Sequence, residues 1–106
     1  MRVRKPEVID ESNEVYTRIA AVSDALAHPL RIEIYRMVLE CNRNRIPVRN
    51  KDIVKRFPHS QATISQHMQK LAYAGLVTAK KEGTSSYYYA NIGVIEKYAR
   101  ELRQIT

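Results

Sequence analysis

Residues 60–77 read "SQATISQHMQKLAYAGLV". Wound at about 100° per residue, Ile64, Met68 and Leu71 fall on one side as a core stripe. Ser60 is a good N-cap for such a helix, because its hydroxyl can take a free backbone N–H. Gly75 is placed to end it. Opposite and beside the stripe lie Ala62, Thr63, Ser65, Gln66, Gln69, Lys70 and Tyr73, with Gln61 near the start. This polar face contains no carboxylate, and none occurs anywhere from Ile53 to Lys81. A helix that only faced water would carry some acid beside its base.

Such side chains are short or amide-bearing, and most can both donate and accept hydrogen bonds. That chemistry fits the DNA major groove. A glutamine amide can pair with adenine N6 and N7, serine and threonine reach several base edges, and carboxylates would be repelled by the phosphates. A solvated surface is the plainer reading of the same face.

The flanking segments bear on the choice. "NKDIVKRF" at 50–57 predicts a short helix with Ile53, Val54 and Phe57 apolar, broken by Pro58. After Gly75 the period becomes extended. "LVTAKK" and "SSYYYA" flank "EGT", which predicts a β-hairpin. Lys51, Lys55 and Arg56 stand before the polar helix. Lys80 and Lys81 follow it, with Thr84 and Ser85 at the hairpin tip. From Arg49 to Ser86 there are seven basic residues and two acids, Asp52 and Glu82. Most of the chain's net charge of +7 is therefore gathered around the polar helix. Such an excess attracts polyanions: nucleic acid, acidic protein or an anionic membrane surface. A short helix, a break, a polar helix and a basic hairpin together describe a winged helix-turn-helix.

Outward from this centre, Pro29 fits the first turn of a helix ending near Asn42–Asn44, with Leu30, Ile34, Met37, Val38 and Cys41 on its apolar face. "RNRIPVR" is a connection. The segment from Val8 to Leu26 carries a narrow stripe of Val8, Val15, Ile19, Val22 and Leu26. That stripe fits packing on its own domain or across a dimer interface. A last helix at about Ile92–Gln104, with Asn91 as N-cap, aligns Ile92, Ile95, Ala99 and Leu102. The expected fold is mainly α with a small β-hairpin, in the order α-α-α-α-β-β-α. It forms one domain over 1–106: an N-terminal helix in 1–26, a core and wing in 29–90, and a C-terminal helix in 91–106.

Other classes find little support. No apolar run approaches the roughly 18 residues of a membrane span. "MRVRKPEVIDE" has no apolar segment behind it, so no signal peptide is expected, and a cytoplasmic location is. The lone Cys41 excludes an intrachain disulfide and reads as a small core residue. No nucleophile–base spacing, phosphate-binding glycine loop or metal cluster points to an enzyme or a cofactor. His28, His59 and His67 are scattered, without ligand spacing. In "SSYYYA", Tyr88 should point one way and Tyr87 and Tyr89 the other. Packing of the wing on the core, a ligand pocket and DNA stacking all remain open for them.

"ALAHPLRIEIYRMVLE" and "HSQATISQHMQKLAYAGLVTAKKEGTSSYYYANI" resemble the opening helix, recognition helix and wing of the arsenic-repressor (ArsR/SmtB) family of transcription regulators. The resemblance covers about Ala25 to Leu102. It implies a homodimer on double-stranded DNA, usually as a repressor, with the first and last helices at the dimer interface. Those would be the Val8–Leu26 stripe and the face of Ile92, Ile95, Ala99 and Leu102. By position, Gln61, Ala62, Thr63, Ser65 and Gln66 fall on the family's base-reading residues, and position 62 is alanine where many members carry a hydroxyl. Metal-sensing members carry a cysteine pair in the helix before the recognition helix, or Asp and His on the last helix. "NKDIVKRF" and "NIGVIEKYARELRQ" have neither, so a member that senses no metal is expected, with its effector unknown. The alternative from a different class is a winged-helix module that docks an acidic protein.

Overall fold

Asn13 opens the first helix by accepting hydrogen bonds from the Val15 and Tyr16 N–H groups at 2.9 and 3.2 Å. The computed structural model of the protein describes residues 13–106. The helix it starts, α1, runs Glu14–Ala25, and the expected stripe residue Val8 lies outside the described residues. Pro29 sits in the first turn of α2 (Pro29–Arg43), whose N-cap is His28. Its ring Nδ1 accepts from the Leu30 N–H at 3.2 Å. The short α3 (Asn50–Arg56) leads through Pro58 into α4 (Gln61–Tyr73). There Ser60 caps as expected, its hydroxyl accepting from the Thr63 N–H at 3.2 Å.

Both α2 and α4 end in the same way. The Leu76 N–H reaches back to Leu71 O at 3.0 Å, with Gly75 at φ +82°. The Ile46 N–H reaches back to Cys41 O at 2.8 Å, with Arg45 at φ +59°. This is the Schellman closure, which needs a left-handed residue just beyond the helix.

β1 (Val77–Glu82) and β2 (Ser85–Ala90) pair antiparallel, from Val77 opposite Ala90 to Glu82 opposite Ser85. Gly83 and Thr84 form the two-residue turn, and Gly83 takes the positive φ of 63° that a first central glycine supplies. The connection "RNRIPVR" does more than link. The Tyr88 N–H donates to Val48 O at 2.9 Å, and Arg49 bridges Tyr87, so the connection edges the hairpin on its β2 side.

The last helix is α5 (Ile92–Gln104). Asn91 holds the N-cap position, but its side chain does not cap. Its amide donates instead to Gly75 O at 2.7 Å and to Thr78 Oγ1 at 3.0 Å, fastening the root of the hairpin to the end of α4.

The core gathers Ile34, Tyr35 and Val38 of α2, Ile53 of α3, Ile64, Met68 and Leu71 of α4, and Tyr88 of β2. Cys41 packs against it, partly buried, in the core role expected. Val22, expected on the dimer stripe, is only 4% exposed within the single chain. With Ala25 it faces the protomer's own core, so the inner edge of that stripe is used at home. On α5, Val94, Ile95 and Tyr98 pack inward, while Ile92 and Leu102 stay 49% and 36% exposed.

Candidate nucleic-acid interface

The cap at Ser60 and the closure at Gly75 fix the length of α4, and its stripe of Ile64, Met68 and Leu71 fixes the rotation. What is left outward is the acid-free face. Gln61, Ala62, Gln66 and Gln69 are exposed, and Thr63 and Ser65 are half-buried. The Ser60 hydroxyl donates to Thr63 Oγ1 at 3.0 Å, leaving the Thr63 proton free to point outward.

The fold carries three separated segments to the N-terminal half of this helix. Lys51, Gln61, Ser65, Thr84 and Ser85 share the wall of one polar hollow, between the starts of α3 and α4 and the wing tip. Arg49, Asn50 and Ser86 line the same hollow, and sequence reasoning had assigned none of them to the interface. Arg49 is braced rather than free. Its backbone N–H and its Nε both donate to the Asp52 carboxylate, at 2.8 and 3.3 Å, and its guanidinium lies 5.7 Å from the Tyr87 ring centre. Lys55, Arg56, Lys80 and Lys81 are exposed but do not line the hollow. Lys81 stands opposite Ser86 in the ladder and Lys80 opposite Tyr87. By strand alternation the two lysines therefore leave the wing on opposite faces. Tyr88 is buried and Tyr89 exposed, which matches wing-to-core packing for the central tyrosine.

The C-terminal half of α4 has different company. Lys70 Nζ lies 3.9 Å from the Asp24 carboxylate, so a helix without acid of its own meets one from α1. Tyr73, on the same polar face, is 91% exposed. Arg31 fastens this end. It donates to Ala25 O at 2.7 Å and Asp24 O at 3.3 Å, closing the last turn of α1. Its Nη1 lies 3.2 Å from His67 Nδ1, which must accept, since a guanidinium only donates. Burial first, then His28, Arg31 and His59, holds the His67 ring below the usual histidine range. His67 thus clamps α4 to α1 and α2. His28, its ring centre 4.8 Å away, caps α2. Among the described residues no group of three His, Cys, Asp or Glu side chains converges.

Electrostatically the N-terminal half offers cations, hydroxyls and amides; of the two acids nearby, Asp52 is paired with Arg49 and Glu82 is exposed opposite Ser85 in the wing. Helix N-termini add partial positive charge. Such a surface can neutralise phosphates and present both donors and acceptors to base edges.

No protein-family model matches the chain. Among known proteins it is 36% identical, over 76 residues, to the uncharacterized HTH-type transcriptional regulator MJ1325 of Methanocaldococcus jannaschii. The match spans 72% of this chain and 81% of that protein. It is 33% identical over 54 residues to an arsenical resistance operon repressor of Staphylococcus aureus, about half of each chain. An ArsR-like transcriptional regulator from Rhodococcus sp. RHA1 superposes with a TM-score of 0.72 at 30% identity, over 85% of this chain and 80% of that one. The homodimeric winged helix-turn-helix DNA-binding domain of Mb0332 from Mycobacterium bovis superposes with a TM-score of 0.69 at 25% identity, over 95% and 88%.

Proposed function

The chain belongs to the ArsR family of winged helix-turn-helix transcriptional regulators, and from that premise we propose that it is a homodimeric, sequence-specific DNA-binding repressor that senses no metal. The observation that carries this reading is the shared hollow, where the reading face of α4, the start of α3 and the wing tip meet around polar and cationic side chains. α4 enters the major groove. Gln61, Ala62, Thr63, Ser65, Gln66 and Gln69 meet base edges there, while Lys51, Lys55, Arg56, Lys80 and Lys81 rest on phosphates and Thr84 and Ser85 touch the backbone at the wing tip. Lys70, drawn toward Asp24, lies at the margin of the face.

Dimerisation rests on the outward apolar residues Val15 and Ile19 of α1 and Ile92, Ala99 and Leu102 of α5, with Leu26 and Ile95, which also pack on the core, at its edge. The homodimeric Mb0332 domain supports it by likeness. The repressor role follows the arsenical resistance relative. The absence of metal sensing follows from a donor set without cysteine on α3 and without Asp or His on α5. No helix among the described residues is long and apolar enough to cross a membrane, and a regulator of genes in the cytoplasm fits that composition.

The test is duplex binding across a salt series. Each phosphate contact contributes about 0.9 to the log–log slope. Gln66→Ala should weaken the cognate site by roughly 1–3 kcal/mol and random DNA far less. Lys81→Ala should weaken both alike and lower the slope by about 1. A protein that binds no duplex at low salt, or only an acidic protein partner, rejects the proposal.

A further inference from the structure

Asn50 and Ser65 are fifteen positions apart, on different helices, and joined by one hydrogen bond. Asn50 Nδ2 donates to Ser65 Oγ at 3.1 Å. Asn50 opens α3, Ser65 sits on the reading face of α4, and both line the polar hollow. The other end of the Asn50 amide is unusual. Its Oδ1 is buried and has no hydrogen-bond partner among the described residues. Buried acceptors are nearly always paired, because an unmade bond leaves their desolvation uncompensated. An apolar side chain of the same size would join the two helices without that orphan, so packing does not account for an asparagine here. Its effect on Ser65 does.

A serine hydroxyl has one proton to give and two lone pairs to take. Once the amide occupies one lone pair, the proton cannot point at Asn50, and it is left, with the second lone pair, to the hollow and whatever enters it. We propose that Asn50 is a positioning residue for base recognition, setting Ser65 as an outward hydrogen-bond donor and so determining which base edge Ser65 accepts. In the major groove a donor pairs with guanine O6 and N7, adenine N7 or thymine O4, and meets cytosine N4 and adenine N6 unfavourably. The inference rests on the DNA-binding reading above and adds to it a residue off the recognition helix. Of the side chains that line the hollow, Asn50 is the one hydrogen-bonded to Ser65 among the described residues.

The experiment selects bound duplexes from a random pool with the full chain and with Ser65→Ala, Asn50→Leu, Asn50→Asp and the Ser65→Ala/Asn50→Leu double variant. Thermal unfolding of each confirms a folded state. The unaltered protein should prefer an acceptor-bearing base at one position. Ser65→Ala and Asn50→Leu should each relax that same position by about tenfold, and the double variant by no more than either alone. Asn50→Asp lowers affinity for every sequence through its charge, so only its ranking of bases is read. Its carboxylate accepts a hydrogen bond from the Ser65 hydroxyl, whose lone pairs then face outward, and the preference should move toward cytosine or adenine amino groups. Four results overturn the proposal: Asn50→Leu keeping the preference, a loss spread evenly over all sequences, additive losses in the double variant, or an unchanged ranking with Asn50→Asp. An unaltered protein that selects no sequence at all overturns the DNA-binding reading instead, which separates the two failures.

Discussion

Arg45 and Gly75 hold the same place at the ends of two helices, and only one of them suits it. Both lie at positive φ, 59° and 82°, just past α2 and α4. A side chain there brings Cβ close to the following carbonyl oxygen, at roughly 1–2 kcal/mol, while glycine gives back part of that in chain entropy, about 0.5–1 kcal/mol. Arg45→Gly should therefore stabilise the fold by about 0.5–1 kcal/mol, read as a higher urea midpoint with unchanged slope. A lower midpoint would show that the arginine side chain holds something the backbone argument omits. The pair also shows what a sequence reveals at this scale. Gly75 announces a helix end because glycine is the usual residue for it. Arg45 announces nothing, since the strain appears only in the backbone angle. Ser60 was legible because a cap acts within its own turn. Asn50 was not, because its partner Ser65 is brought near only by the turn between α3 and α4.

Elements were legible where their signal was local. The hairpin, the four helices before it and the one after it follow from period, caps and breakers. What escaped was the edging of β2. The backbone of 48–49 pairs with Tyr88 and Tyr87, and beyond it the side chain of Asn42 continues the edge. Its Nδ2 donates to Tyr88 O at 3.2 Å and its Oδ1 accepts from the Ala90 N–H at 2.7 Å. One amide from the last turn of α2 thus stands in for a strand residue. Sequence pattern shows only an asparagine near a helix end. Asn42→Leu leaves both backbone groups without their partner, so it should cost about 1–2 kcal/mol. The losses should also appear locally, as faster amide exchange at Ala90 than at Val77 on the opposite strand. Uniform exchange across both strands would place the loss elsewhere.

At the scale of the whole molecule, α1 and α5 decide what the chain joins. The sequence left the α1 stripe open between its own domain and a dimer, and the structure divides it: Val22 packs inward while Val15 and Ile19 are half-exposed. A stripe read from period alone cannot show where two faces part. If the outward residues pair two protomers as proposed, Leu102→Glu should give a monomer by light scattering and weaken binding to a two-half-site operator far more than to a single half-site. A dimer that persists would move the interface off α5. The inward join has its own chemistry. Arg18 of α1 grips Glu101 of α5 through Nη2 at 2.5 Å and Nε at 3.3 Å. That hydrogen bond, with Lys97 and Arg100 beside it, holds the Glu101 carboxyl below the usual carboxylate range and raises Arg18. The sign follows from the depressed value. The folded state binds this proton less readily than the unfolded chain, so the ion pair's stabilisation is whole above about pH 4.5 and drains away as pH falls through the lower folded value. His67, also depressed, begins a separate loss below about pH 6.5. A thermal-midpoint profile from pH 7 to pH 3 should therefore fall in two stages. Glu101→Gln should lower the neutral plateau and flatten only the second stage, and His67→Gln only the first. If Glu101→Gln left the acid limb as steep as before, another carboxylate would govern how the first and last helices part.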